Sequence, residues 1–458
     1  IHTKTKDAAP VQYKDTSRVV NCLVANGCEI RGEVENSILF RDVKVGEGVK
    51  IKDCIIMEKC VIEDNAMLRN VICDKNVTVT KDQWLKLLDF VKAIGGKLLV
   101  SIANCPGIHS ADEPMPFEQA DLLFRTSKEY GVPISAAEFT NEPNLIALSG
   151  LPKGYTAADH ARDHDLFGAW LKENYPECLF VGPCTVGDIN LFGSLEGAGG
   201  GMAAGFEMVT TEQLLGDYKS PMNVFSYHYY NGVSERGAAM GGHWPYEAIL
   251  SEQYLDVAGN CARQYVARRD KYVPGGQMWV TESGDAGCGG NTWASTYADV
   301  PRTLNELGDF CTVTDGVIFH NTLASSDYGY LKHGTFLPRP NYFAVLLWNR
   351  LMGKTVYATG EAIREGAHVY AHSRKDGKEG LVYLVINNSW TETTTVELPK
   401  EAPVYALTGN GGMRSRTMLL NGRELVLGEG DALPCLCGEQ VAAGTIEVAP
   451  GGCTFIVL

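Results

Sequence analysis

The feature that most constrains this chain is a spacing of six between apolar residues in its first part. Cys22, Cys28 and Val34 stand six apart, and Val43, Val49, Ile55, Val61 and Met67 continue the spacing with Ile56, Ile62 and Leu68 beside them. Small turn residues lie between, as in Asn26-Gly27, Gly46-Glu47-Gly48 and Glu63-Asp64-Asn65. A short fixed period does not close a single core. It stacks coil on coil, and each face of a triangular solenoid contributes one inward aliphatic residue per rung. Residues 1–80 are therefore expected to form a hexapeptide-repeat β-helix.

From Lys81 the texture changes to helical stretches alternating with buried strands. Trp84, Leu87, Leu88 and Val91 recur at helical spacing behind Asp82, a capping residue type, and Gly95-Gly96 ends that helix before a strand over 97–104. Helix and strand then alternate as 117–129 with 132–140, 157–173 with 178–182, and 211–217 with 223–229. The pairs 246–269 with 277–281 and 293–307 with 315–320 follow, and a helix over 342–351 closes the series. Repeated βα units build a parallel sheet covered on both faces, and polar, Gly-rich residues just after each strand favour a TIM-type (β/α)8 barrel over an open sheet. Beyond Thr355 the strands become short and alternating, over 368–372, 381–386, 393–398 and 454–458, which reads as a β-sandwich. The expected division is an α/β chain with domains at 1–80, 81–353 and 354–458.

The chemistry gathers at strand ends. Glu138-Phe139-Thr140-Asn141-Glu142-Pro143-Asn144 follows one strand, and Gln277-Met278-Trp279-Val280-Thr281-Glu282 brings a second carboxylate to the end of another. Two carboxylates on one barrel face, one an acid and one a nucleophile, are the minimum apparatus for cleaving a glycosidic bond. The two environments are expected to push their pKa values apart. Asn141 offers an amide to a substrate hydroxyl, and Tyr227-His228-Tyr229-Tyr230, on the strand between, offers an imidazole and phenols that can hold a nucleophile or stack on a sugar. The Gly284 to Gly290 loop trails Glu282.

Taken together these motifs resemble glycoside hydrolase family 79, the family of heparanase and of microbial β-glucuronidases, from about Thr80 to the C-terminus. The marks are Asn141-Glu142-Pro143-Asn144, Tyr227-His228-Tyr229-Tyr230, Trp279-Val280-Thr281-Glu282-Ser283 with Gly289-Gly290, and Tyr328 with Leu337-Pro338-Arg339-Pro340-Asn341-Tyr342. The resemblance implies that Glu142 is the acid/base, Glu282 the nucleophile and Tyr230 its hydrogen-bonding partner. It also implies that N–H groups near Gly289 and Gly290, with Tyr328, receive a uronate carboxylate, a role suited to glycines because a main chain without Cβ approaches closely. The first segment, from Ser17-Arg18-Val19-Val20-Asn21 to Asn70-Val71-Ile72-Cys73-Asp74-Lys75-Asn76-Val77, resembles a different family: the C-terminal left-handed β-helix of bacterial glucose-1-phosphate adenylyltransferases and their regulatory-like paralogues. The nucleotidyltransferase domain of that family has no counterpart here. The glycosidase family places its acid/base after the fourth strand, whereas one strand (97–104) precedes Glu142, so the first two βα units are expected to be missing and the chain to be a chimera.

Composition excludes other classes. With 40 Lys and Arg against 55 Asp and Glu the net charge is −15, which disfavours nucleic acid and anionic membrane surfaces. No apolar run approaches a membrane span. The 14 Cys are scattered without a CxxC pair or zinc-ligand spacing, which reads as reduced thiols in a cytoplasmic protein. No metal or organic cofactor is implied. Heparan sulfate would call for a basic groove, and Arg268-Arg269-Asp270-Lys271 and Arg414-Ser415-Arg416 read as solvated faces. The preferred function is a retaining β-glucuronidase acting on small or weakly charged glucuronides. The alternatives are a retaining glycosidase for a neutral sugar and an inactive chimera that only binds sugar. Open barrel edges would favour a homo-oligomer.

Overall fold

A computed structural model describes residues 9–69, 71–73, 78–79, 82–187, 208–216, 218–359 and 365–458. The expected junction at Lys81, the end of the first resemblance at Asn70 and 74–77, and the capping side chain of Asp82 lie outside the described residues. Two compact units divide the chain: 1–141 with 148–180 and 216–220, and 142–147 with 181–215 and 221–458.

In the first unit, strands of two or three residues stack into three parallel sheets, as the repeat predicts. A coil takes 15 residues from Glu29 to Lys44 and 17 from Lys44 to Val61, one short of three hexads. The shortfall sits at one corner. Asn21, Asn36 and Asp53 turn it with φ of 53°, 51° and 55°, and they form a ladder in which Asn21 Nδ2 donates to Asn36 Oδ1 and Asn36 Nδ2 to Asp53 Oδ1, both at 2.6 Å. Asn and Asp tolerate this left-handed conformation better than other residues with side chains. Five residues rather than six separate Lys50 from Ile55 across that corner, and a slip of one reverses which side chains face inward. The inward row is therefore Cys54, Ile56, Cys60, Ile62 and Leu68, while Met67 is 42% exposed and Ile55 and Val61 are half-buried. The expected Ile55–Val61–Met67 row is corrected accordingly.

The βα part of this unit pairs Leu98–Ser101 with Ile134–Glu138 in parallel. The Ala157–Asn174 helix starts at a reciprocal capping box between Thr156 and Asp159. Its buried face carries His160, His164 and Phe167, against Phe139 and Phe180.

The second unit receives the Leu179–Val186 strand from Val181 onward, and Val224–Tyr230, Gln277–Gly284 and Ile318–His320 follow it in parallel order. The Leu98–Ser101 strand pairs on one side only among the described residues, and so does Ile318–His320. No described solenoid strand supplies the missing partner to either. Two expected helices are broken. The 246–269 stretch is a turn at Tyr246–Ala248, a short helix at Glu252–Leu255 capped by the Ser251 side chain, and a helix over Val257–Tyr272. The 293–307 stretch becomes two 3₁₀ turns followed by a helix over Val300–Val313, because Pro301 suits a first turn and not an interior.

The C-terminal strands form an eight-stranded sheet and a two-stranded one. Tyr370, Leu384 and Phe455 of the large sheet share a core with Val300, Leu304, Phe343 and Leu347 of two helices. Val385, Val404 and Ile456 pack with Val396, Leu398, Ile446 and Val448 of the small sheet. Apolar side chains thus leave the large sheet on both faces. Cys435 and Cys437 are disulfide-bonded, a correction to the all-reduced reading, and the other 12 cysteines form no disulfide. No helix among the described residues is long and apolar enough to cross a membrane.

Candidate active site

Glu142 follows the strand ending at Glu138 by four residues, in a left-handed conformation with φ of 44°. Its neighbour Asn144 explains the fixed turn. The buried Asn144 amide donates to Val186 O at 2.7 Å and accepts from Val186 N at 3.0 Å, and the Asn144 carbonyl accepts from Val209 N at 3.1 Å. Asn144 thereby acts as a side-chain extension of the sheet and holds the turn at the end of the Leu179–Val186 strand. Asn141, expected to meet a substrate hydroxyl, is exposed at the end of the first unit.

A bulge places the second carboxylate. Tyr227 pairs with Val280, but His228 pairs with Glu282, so Thr281 is the extra residue between them. An inserted residue re-aims those that follow, here bringing Glu282 opposite His228. His228, 2% exposed, sets Nδ1 at 3.0 Å from Glu142 Oε1 and 3.8 Å from Glu282 Oε2. One oxygen from each carboxylate and this nitrogen all lie within 4.8 Å of one another. Such a trio is close enough to ligate one cation, and equally to share protons between an acid and a base.

Glu282 Oε1 accepts from Tyr230 OH and, at 2.9 Å, from Asn321 Nδ2. Asn321 Nδ2 also lies 2.7 Å from Tyr230 OH and 3.3 Å from Tyr328 OH. Burial, reinforced by the Glu282 charge, pushes the Tyr230 phenol well above its ordinary value, so it stays a donor. Tyr328 is raised for the same two reasons. His320 donates its Nε2–H to Tyr328 O at 2.7 Å, and burial lowers its pKa to about 4, keeping it neutral.

Cys288, Gly289 and Gly290 have φ of 63°, 89° and 78° in succession. A Cβ on Gly290 would meet Tyr328 Cδ1 at 2.7 Å, so only glycine fits there. The Gly290 N–H is already committed to Ala286 O at 3.2 Å. Arg236 clamps this loop: Nη1 donates to Gly290 O at 2.7 Å and Gly289 O at 3.3 Å, while Nη2 pairs with Asp327. Arg339 Nη1 donates to the carbonyls of Ser326, Asp327 and Gly329 at 2.8, 2.8 and 2.9 Å. Glu142, His228, Tyr230, Glu282, Gly289, Gly290 and Tyr328 thus fall within one unit. Sequence reasoning missed Asn321, Arg236 and Asp327. Asn321 directly follows the Ile318–His320 strand, so the strand-end rule that found Glu142 and Glu282 would have found it too.

Residues 8–85 match the family model described as GlmU-like, C-terminal hexapeptide. Over 81 residues the chain is 54% identical to the glycogen biosynthesis protein GlgD of Bacillus subtilis (strain 168), covering 18% of this chain and 24% of that protein. Over 280 residues it is 30% identical to heparanase-like protein 1 of Arabidopsis thaliana, covering 52% of this chain and 50% of that one. The chain is chimeric. Its heparanase-like segment is also 28% identical over 255 residues to the baicalin-β-D-glucuronidase of Scutellaria baicalensis, covering 53% of this chain and 46% of that one. The chain spans about half the length of these heparanase-like and glucuronidase relatives. Among solved structures, a 4-O-α-L-rhamnosyl-β-D-glucuronidase from Fusarium oxysporum matches with a TM-score of 0.53 at 14% identity, over 81% of this chain and 79% of that one. At that identity the likeness speaks for a glycoside-hydrolase-like fold.

Proposed function

We propose that the heparanase-like segment, which we place at residues 81–458 as a barrel lacking its first two βα units and a β-sandwich divided near 353, is a retaining glycosidase acting on glucuronides. The observation that carries this reading is the trio of Glu142, His228 and Glu282 with ligating atoms within 4.8 Å. Carboxyl groups about 5 Å apart leave no room for a water between them and suit direct attack on the anomeric carbon, whereas inversion needs roughly 6.5–9.5 Å. Glu142 protonates the leaving oxygen. Glu282 attacks and forms a glycosyl-enzyme, and Glu142 then takes a proton from the water that releases the sugar. His228 shares one proton with Glu142: a neutral ring donates it to the carboxylate, or the carboxylic acid donates it to the ring. Tyr230 and Asn321 hold Glu282 Oε1, which leaves Oε2, the oxygen nearer His228, for the sugar. The named activity of the Scutellaria relative supports a glucuronide. The Gly289–Tyr328 neighbourhood, clamped by Arg236, would receive its carboxylate.

The test is a panel of 4-nitrophenyl glycosides with the whole chain. Hydrolysis of the β-glucuronide, weak hydrolysis of the β-glucoside and xyloside, and loss of turnover in Glu282→Gln support the reading. Equal rates on glucuronide and glucoside favour the neutral-sugar alternative. A specific observation favours the second reading, a sugar-binding chimera without turnover: among the described residues the Leu98–Ser101 and Ile318–His320 strands are each paired on one side. Binding of glucuronate without hydrolysis of any glycoside would establish it.

A further inference from the structure

We propose that a cavity away from the carboxylate pair binds an aromatic anion, a carboxylate or sulfate carried on a single ring. The cavity has a volume of about 300 Å³ and is lined by Lys332, Arg339, Arg416 and Asp327, with Phe343 and Leu425 among its apolar walls. That volume is at the lower end for small-molecule sites.

The charge balance is what points to a ligand. Three cations and one carboxylate line the cavity, on a chain whose net charge is −15. The single carboxylate is shared, because Asp327 is paired with Arg236, which is not a lining residue, while its charge also favours protonated Arg339. Arg339 spends Nη1 on three carbonyl oxygens. Among the described residues neither Lys332 nor Arg416 forms an ion pair. Burial lowers the pKa of Arg339, the Asp327 charge offsets part of that, and the Arg416 charge adds a smaller opposing effect. Two guanidinium groups and an ammonium turned to one concavity repel one another. An anion placed between them converts that repulsion into attraction.

The walls define the rest of the ligand. Leu337, 53% exposed, and Val426, 53% exposed, extend the apolar lining to the rim. Inorganic anions would leave that surface wet. A planar ring covers it while its acid group reaches the cations, and guanidinium suits a carboxylate or sulfate geometrically. The Arg414-Ser415-Arg416 cluster thereby acquires two separate roles: Arg414 lies over the Tyr246 ring at 3.7 Å, and Arg416 faces the cavity.

The proposal is independent of whether the chain hydrolyses glycosides, and calorimetric titration of the whole chain tests it. With 4-nitrobenzoate and 4-nitrophenyl sulfate as probes, saturable one-to-one binding is expected, weakening as salt rises. Neutral 4-nitrobenzyl alcohol should bind about tenfold more weakly or not at all. Arg416→Ala and Lys332→Ala, both at exposed positions, should each weaken the anion several-fold, and Arg416→Glu should abolish binding. Glu282→Gln and Tyr328→Phe should leave the affinity unchanged, since neither side chain lines the cavity. No saturation below about 10 mM, equal affinity for the alcohol, indifference to both cation substitutions, or loss in Tyr328→Phe would each overturn it.

Discussion

Glu282 owes its orientation to two donors at one oxygen, and the consequence can be measured residue by residue. Tyr230→Phe removes the phenolic donor while keeping the ring that packs beside Tyr328, at 6.2 Å between centroids. A hydrogen bond to a charged group contributes about 1.5–3 kcal/mol, so turnover of a glucuronide should fall about 10- to 100-fold with KM changed little. Asn321→Ala should do more, because one amide touches Glu282, Tyr230 and Tyr328 together. Steady-state kinetics check both, and an Asn321→Ala enzyme as fast as the parent would refute the shared-amide account. That Glu142, Glu282, His228 and Tyr230 come together was legible in the sequence because each lies at or just beyond the end of a strand of one parallel sheet. Arg236 and Asp327 were not, since an ion pair between residues 91 positions apart leaves no trace in local spacing.

At the scale of elements, the solenoid and the βα strands differ in what their patterns disclose. The period of six identified the three-sheet solenoid but misplaced its inward row after Lys50, because the tight corner at Asp53 takes one residue fewer than the period allows. That corner makes a prediction. Asn36→Ala forces a residue with a plain Cβ into φ near 51° and breaks both rungs of the Asn21–Asn36–Asp53 ladder. A left-handed conformation costs such a residue about 1–2 kcal/mol, so the free energy of urea unfolding of the solenoid should fall by about that amount, with its midpoint moving lower. Asn36→Gly should recover most of the loss if conformation dominates and little if the ladder does. The βα strands were found within a few residues of their true ends, whereas the Thr281 bulge escaped notice: periodicity describes a regular strand and is silent about one extra residue. The 246–269 stretch reads as one helix, whereas the Ser251 side chain caps a new helix at Glu252 and breaks it.

For the whole molecule, buried imidazoles set a limit on acid stability, and open strand edges set one on solitude. Burial lowers His164 and His320 to about 4 and drives His160 well down, with His372 shifted the same way. Unfolded histidines titrate near about 6.5, so below that pH the unfolded chain binds protons that the native chain refuses. Stability is therefore whole above about pH 6.5 and is lost as pH falls toward 4. The loss is on the order of 3 kcal/mol for each of His164 and His320. A thermal melting series from pH 7.5 to 4.5 should show a steepening fall that His164→Phe lessens. The edges act at neutral pH as well. Leu98–Ser101 and Ile318–His320 each present one side without a paired strand among the described residues, and no described solenoid strand pairs with either. An unpaired strand side is a template for another chain. Sedimentation velocity over a hundredfold range of concentration should therefore show reversible self-association at neutral pH. Leu99→Pro should distinguish association through this edge from association elsewhere, because Ile102 donates to Glu138 O and alternation then turns the Leu99 N–H to the unpaired side. A monomer at every concentration would mean that these edges are covered by something within the chain itself, and the expectation of an open barrel would fall with it.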